Sequence, residues 1–328
     1  MNQLLIGLLG ALVATNQPAA VSNLVTQTTG ISVKVPDLND PVEKEYLKLL
    51  AEDNAAQAEV DQWIQAAQAA SERKESEAIK GTPAGLSLRI EQRFDSVRKA
   101  YEDFLRRHPD HTRARLAYGS FLGDIGDENA SVAQWEKARD LDPANPAAWN
   151  NLANHHGHRG PVKKAFEYYA KAIELNPNEP VYYQNFATTV YLFRKDAREY
   201  YQIDEQQVFD RALDLYRKAL KLDPMNFLLA TDLAQSYYGI KPTRFEEAFE
   251  AWDYALKIGR DEIERQGVHL HLARFKINAG SFDEARQHLE KIKDPMYDPL
   301  KERVTQTLLR KEKEARARKD APSGTAPK

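Results

Sequence analysis

Residues 146–179 read PAAWNNLANHHGHRGPVKKAFEYYAKAIELNPNE, and this stretch decides the fold of the chain. Apolar and small residues recur at helical spacing in both of its halves, which Gly160-Pro161 separates. Pro177 lacks an amide hydrogen and disfavours helix in the residue before it, so it ends the second half. The small side chains of Ala153 and Ala165 allow two helices to approach closely. The stretch therefore predicts a pair of packed helices.

The same pattern returns along the chain with a period of about 34 residues, which indicates stacked helix pairs. One unit precedes the stretch, from Thr112 to Asn145, and further units begin at Pro180, at Phe227 and near His269. A helix pair cannot bury its apolar face alone, so such units stack on one another. The recurring residues include Tyr118, Gly119, Trp135, Ala138, Pro143, Tyr183, Phe186, Ala187, Ala212, Tyr216, Pro224, Leu233, Ala234, Ala248, Trp252, Leu272, Ala273 and Ala285.

This pattern of large, small and aromatic residues with a closing Pro resembles the tetratricopeptide repeat, over about two thirds of the chain. The resemblance implies an all-α solenoid of stacked helix–turn–helix repeats over residues 86–299. Upstream, Val97, Tyr101, Phe104 and Pro109 match only the second helix of a unit. The resemblance also implies a non-enzymatic scaffold that binds a protein or peptide in a groove. A periplasmic assembly factor for envelope proteins or glycans, and a cytoplasmic adaptor, are the alternatives.

In tetratricopeptide arrays the first helix of each pair lines the groove, at fixed offsets along the repeat. Asn and Gln side chains both donate and accept hydrogen bonds, so they can pair with a peptide backbone. Asn151 and Asn185 hold the offset that resembles an asparagine ladder, although a tolerated polar surface would look the same. The predicted groove residues are Asn150, Asn151, Asn154, Gln184, Asn185, Thr188, Thr231, Asp232 and Gln235.

Co-chaperone arrays of this family add cations to such Asn residues to hold a terminal carboxylate. The corresponding positions here are Asn150, Leu228 and Asp232, and none is cationic. The resemblance therefore disfavours a clamp for a C-terminal carboxylate.

Composition argues against several other classes of function. The chain has 328 residues, a formal net charge of -3 and no cysteine, so we expect no nucleic-acid partner and exclude thiolate chemistry. No phosphate-binding loop or nucleophile elbow is present. His155 and His158 share a helix face but lack nearby companion ligands, and His269 falls on a repeat core position. We expect no catalytic residue, no cofactor and no bound metal.

The N-terminus favours export. Leu4 to Ala14 is an apolar run of about eleven residues, too short to span a bilayer and of a length typical of signal peptides. We expect residues 1–22 to be a signal peptide, the mature chain to lack a transmembrane segment, and the protein to be periplasmic or secreted. Residues 2–10 contain no Lys or Arg, which makes a cytoplasmic protein the alternative.

Three segments flank or interrupt the predicted array. Residues 23–85 contain a predicted amphipathic helix, from Asp40 to about Lys80, and a linker from Gly81 to Gly85. The helix either caps the array or forms a coiled coil with a partner. An insertion of charged residues and tyrosines, Arg194 to Gln207, lengthens one repeat and either contributes to binding or is a neutral loop.

Residues 300–328 form the predicted C-terminal segment. A helix with an apolar stripe of Val304, Leu308 and Leu309 is expected to seal the last repeat. It continues as a mostly basic helix to Lys319, and a disordered tail follows.

Overall fold

The computed structural model describes residue 37 and residues 39–72 and 83–320. The predicted signal peptide and the C-terminal tail from residue 321 lie outside them. Contacts divide the chain into two compact units, Met1–Pro177 and Asn178–Lys328, which are described separately. The described residues form fourteen α-helices and one 3-10 turn and contain no strand, which confirms the predicted all-α solenoid of helix pairs.

Unit 1 contains two of the predicted helix pairs, α3 (Thr112–Asp124) with α4 (Glu128–Leu141) and α5 (Pro146–Arg159) with α6 (Val162–Leu175). The side chain of Asp127 accepts a hydrogen bond from the amide of Ala130 at the start of α4. Asn145 does the same for Ala147 at the start of α5. These caps satisfy amides that have no partner inside the helix. The helices of unit 1 are α1 Pro41–Glu72, α2 Pro83–Arg107, α3 Thr112–Asp124, α4 Glu128–Leu141, α5 Pro146–Arg159 and α6 Val162–Leu175.

The long N-terminal helix α1 packs against α2, which supplies the partner that the leading half repeat lacked in sequence. Val97 and Tyr101 on α2 are fully buried, and Tyr46 and Val60 on α1 are each 4% exposed. The helix α2 begins at Pro83, inside the segment predicted to be a linker. Proline is compatible with a first helical turn, because the first amides of a helix have no intrahelical partner.

Unit 2 contains three helix pairs: α7 (Pro180–Leu192) with α9 (Glu205–Leu222), α10 (Phe227–Ser236) with α11 (Phe245–Ile258), and α12 (Glu262–Ala279) with α13 (Phe282–Lys291). An additional helix, α8 (Arg194–Tyr201), lies between the members of the first pair, and α14 (Asp298–Asp320) follows the last. The 3-10 turn Pro295–Tyr297 precedes α14. The helices of unit 2 are α7 Pro180–Leu192, α8 Arg194–Tyr201, α9 Glu205–Leu222, α10 Phe227–Ser236, α11 Phe245–Ile258, α12 Glu262–Ala279, α13 Phe282–Lys291 and α14 Asp298–Asp320.

The predicted insertion folds into the short helix α8 and is anchored to α9. Ala197 is fully buried, and the guanidinium carbon of Arg211 lies 3.9 Å from the ring centroid of Tyr201. Asp204 and Gln207 then form a reciprocal cap at the start of α9. These anchors attach the insertion to a second helix of the repeat.

The C-terminal helix α14 packs on α12 and α13 through Val304 and Leu308, which are 4% and 2% exposed. The predicted apolar stripe was wrong for Leu309, whose side chain is 51% exposed. Consecutive residues of a helix do not share a face, so Leu309 points away from the contact that Leu308 makes.

Candidate peptide-binding surfaces

The predicted groove residues fall into two sets, one in each unit. Asn150, Asn151 and Asn154 lie on α5, and we call them the unit 1 surface. The unit 2 surface comprises Gln184, Asn185 and Thr188 on α7 and Thr231, Asp232 and Gln235 on α10. All of these helices are first helices of their pairs.

The unit 1 surface presents two partly exposed amides. Asn150 is only 6% exposed, and its Nδ2 donates to Asn151 Oδ1 over 3.5 Å. Asn154 Oδ1 accepts a hydrogen bond of 2.6 Å from the hydroxyl of Tyr169. Neither Asn151 Nδ2 nor Asn154 Nδ2 has an acceptor among the described residues. Their oxygens are thus held by the repeat, while their amide hydrogens are available to a partner.

Asn154 also lies in the wall of a cavity of about 510 Å³ within unit 1. Residues from α3, α4 and α5 form its walls, which therefore come from two first helices and one second helix. Most of the lining residues are of polar or charged types, and α4 contributes one large ring. The lining residues are Gly123, Glu128, Ser131, Trp135, Asn154, His155, His158 and Arg159.

The histidines make no metal centre in the described part of the chain, where no group of three or more His, Cys, Asp or Glu is placed to hold an ion. His155 and His158 both line the unit 1 cavity. Burial lowers the pKa of His155, and the neighbouring His156 lowers it further. In unit 2, His269 Nδ1 lies 3.0 Å from His288 Nδ1, and burial lowers the pKa of both rings. Such packing favours structural roles.

Hydrogen bonds join the two helices of the unit 2 surface and fix its side chains. Gln184 Nε2 on α7 donates to Asp232 Oδ2 on α10 over 2.8 Å. The Thr188 hydroxyl donates to Gln184 O over 3.0 Å and lies 2.7 Å from the hydroxyl of Tyr216. The bond from Gln184 to Asp232 therefore joins two first helices that are distant in sequence into one surface.

One face of α10 carries an apolar side chain followed, at one-turn intervals, by two polar ones. Leu228 is 65% exposed, Asp232 lies one turn later, and Gln235 follows after a further turn and is exposed. In the sequence pattern, Leu228 stands out only as a position that lacks a cation. A signal was available, because Leu228 and Val181 hold the same offset in consecutive repeats, and Val181 is also exposed, at 40%.

Asp232 is the charged side chain of the unit 2 surface. Burial raises the pKa of its carboxyl group, and the hydrogen bond from Gln184 only partly opposes this effect. No Lys, Arg or His in the described residues forms an ion pair with it or lowers its pKa. The carboxylate is thus partly desolvated without a compensating cation.

His271 on α12 holds the offset in the fifth repeat that Asp232 holds in the fourth. Its ring stacks on Trp252 with centroids 4.3 Å apart, and its Nδ1 lies 2.9 Å from the hydroxyl of Tyr238. Burial, aided by the nearby Arg274, lowers the pKa of His271 to about 4. The ring is therefore neutral at pH 7 and is part of the packing of the repeat.

The tetratricopeptide repeat model matches residues 122–180 of the chain. Photosystem I assembly protein Ycf3 of Rippkaea orientalis is 31% identical over 81 residues, which is 24% of this chain and 47% of that protein. Small glutamine-rich tetratricopeptide repeat-containing protein 2 of Mycosarcoma maydis is 31% identical over 105 residues, 32% of this chain and 26% of that protein. The chain thus spans less than half the length of these curated relatives.

Solved structures give weaker likenesses. The structure of YrrB, described as a tetratricopeptide repeat protein with an unusual peptide-binding site, has a TM-score of 0.48 at 12% identity, and covers 64% of this chain and 99% of its own. Pseudomonas aeruginosa PilF has a TM-score of 0.47 at 15% identity, and covers 80% of this chain and 99% of its own. No helix among the described residues is both long and apolar enough to cross a membrane. The repeat pattern is present as helix pairs in each unit, and residues 122–180 match the tetratricopeptide repeat model, which confirms the predicted resemblance to that repeat.

Proposed function

We propose that the chain is a non-enzymatic interaction scaffold that holds a peptide segment of a partner protein on its first-helix surfaces. The observation that carries the proposal is the set of amides on those surfaces, above all Asn151 and Asn154, whose oxygens are bonded within the repeat while their Nδ2 groups have no acceptor in the described residues. Amides fixed in this way meet a peptide carbonyl at a small cost in side-chain entropy.

The polar character of these surfaces favours recognition of the peptide backbone. Backbone carbonyls and amides are common to all peptides, and a neutral hydrogen bond of this kind contributes about 1 kcal/mol net. Exposed apolar side chains beside the amides, Val181 and Leu228, supply contact area for the partner's side chains.

A role in the assembly of other proteins is the second candidate. It is supported by the similarity, over 81 residues, to Ycf3, which is named as a photosystem I assembly protein. If the apolar run Leu4 to Ala14 directs export, as we also propose, the protein is a periplasmic assembly factor for envelope proteins or glycans. A cytoplasmic adaptor is the competing form of the same scaffold.

Replacing Asn151 and Asn185 together by Ala should weaken peptide binding by roughly tenfold, because the variant lacks an amide that bonds to the peptide whether the peptide occupies the unit 1 or the unit 2 surface. The probe is a synthetic peptide selected on the wild-type chain from a random library displayed on phage, and its affinity is measured by fluorescence anisotropy. Circular dichroism should show unchanged helix content, because both side chains lie at the surface of their helices.

Asn129→Ala is the matched control, since Asn129 is an exposed asparagine on the second helix α4. The affinity of the Asn129→Ala variant for the peptide should equal that of the wild-type chain. If the double variant also binds like wild type, or if selection yields no peptide, the proposed use of the first-helix surfaces is wrong.

A further inference from the structure

The carboxylate of Asp232 accepts one hydrogen bond from the described residues, although its partial burial requires further donors or a cation. Gln184 Nε2 donates to its Oδ2, and Oδ1 has no donor among the described residues. A carboxylate accepts several hydrogen bonds, and a partly buried one is costly unless a cation or further donors compensate the lost hydration. The side chain is partly exposed, so a group from outside the chain can reach it.

Several shielded carboxylates among the described residues have the compensation that Asp232 lacks. The side chains of Glu43, Glu264 and Glu312 are 15%, 14% and 16% exposed, and each pairs with at least one arginine. Asp53 is buried without a cation, but it accepts hydrogen bonds from Tyr101 and Gln57 and is enclosed between helices. Asp232 differs from both groups, because it has neither a cation nor a complete set of donors.

The side chains around Asp232 indicate the kind of group that fits. Leu228 lies one turn before it on α10 and is 65% exposed, which gives an apolar surface next to the carboxylate. Lys and Arg side chains place a methylene stem on apolar surface and their charge at its end. A cationic side chain whose stem covers Leu228 would therefore bring its charge to Asp232.

We propose that the unit 2 surface recognises a peptide segment through a Lys or Arg side chain, which pairs with Asp232 while its stem packs on Leu228. This inference rests on the proposed function and names the chemistry of the partner at that surface. The selectivity is opposite to that of a clamp for a C-terminal carboxylate, which requires cations on the array.

The test uses the full chain and the same selection from a random-peptide library displayed on phage. We expect the selected peptides to share a Lys or Arg at one position. Asp232→Asn should weaken binding of such a peptide by roughly tenfold or more, whereas a copy of the peptide with that cation replaced by Gln should bind both proteins alike. The substitution keeps an oxygen acceptor for Gln184, so the variant should fold and should melt at or above the temperature of the wild-type chain.

Asp253→Asn is the matched control, because Asp253 is an exposed carboxylate on the second helix α11 of the same unit. It should leave the affinity unchanged. Peptides without a shared cation, or equal affinity of wild type and Asp232→Asn for the cationic peptide, would overturn the inference. If Asn185→Ala still weakens binding of that peptide, the unit 2 surface does bind peptides, and only the proposed pairing of Asp232 with a cation is wrong. If Asn185→Ala has no effect either, or if no peptide is selected, the inference and the proposed function both fail.

Discussion

Gly119→Ala should lower the free energy of unfolding by about 3 kcal/mol, because the added methyl group would overlap the ring of Trp135. A Cβ at Gly119 would lie 2.4 Å from Trp135 Nε1 and 2.5 Å from Trp135 Cδ1. The ring has little room to move, since its Nε1 donates to Leu116 O over 3.3 Å. The helices cannot separate easily either, because Ser131 Oγ donates to Gly119 O over 2.6 Å.

Gly123→Ala on the same helix α3 is the control for this prediction. The atoms nearest to its Cβ would be Ser131 Oγ at 3.3 Å and the Trp135 ring at 3.8 Å, so no atom would lie closer than 3.3 Å. Alanine is favoured over glycine in a helix by up to about 1 kcal/mol, so this variant should be neutral or slightly stabilised. Urea unfolding followed by circular dichroism compares the two variants, and equal stability would contradict the close crossing of α3 and α4.

Tyr101→Phe should destabilise unit 1 by about 2 to 3 kcal/mol, because it removes a hydrogen bond to a buried carboxylate. The Tyr101 hydroxyl donates to Asp53 Oδ2 over 2.7 Å, and Asp53 is 6% exposed. Without it, Asp53 keeps only the bond from Gln57 among the described residues. This bond joins α1 to α2, so the melting curve reports how firmly the N-terminal helix is part of the unit.

Tyr118→Phe is the matched control, since the rings of Tyr118 and Tyr101 stack with centroids 5.0 Å apart. The Tyr118 hydroxyl donates over 3.1 Å to Glu102, which is exposed. Water can replace that hydrogen bond, so Tyr118→Phe should lower the free energy of unfolding by less than about 1 kcal/mol. Equal losses in the two variants would mean that α1 contributes little to the stability of the unit.

The helix pairs could be predicted from sequence because their signal is local and repeated. Small residues such as Gly119 and Ala153 recur where two helices cross, and each recurrence reinforces the assignment of the others. The helix α8 was harder to predict, because a single insertion has no counterpart in the other repeats. Leu309 was misassigned because adjacency in sequence does not imply a shared helix face.

The sequence could predict which positions form the candidate site, but not the contacts that their side chains make. The repeat offsets indicated which residues lie on first helices, and the structure places them there. The offsets gave no information on hydrogen bonds between repeats, such as the one from Gln184 to Asp232 across 48 positions. Nor did they indicate that Asp232 lacks a cation, since that depends on every side chain nearby. These properties arise from tertiary contacts.

Photo-crosslinking tests most directly whether the first helices hold the partner. The selected peptide would carry a photoreactive benzophenone side chain, and mass spectrometry would locate its attachment on the full chain. We predict that crosslinks map to α5, α7 and α10, and that excess unlabelled peptide suppresses them. Crosslinks confined to the second helices α4, α9 and α11, or to the basic end of α14, would contradict the account.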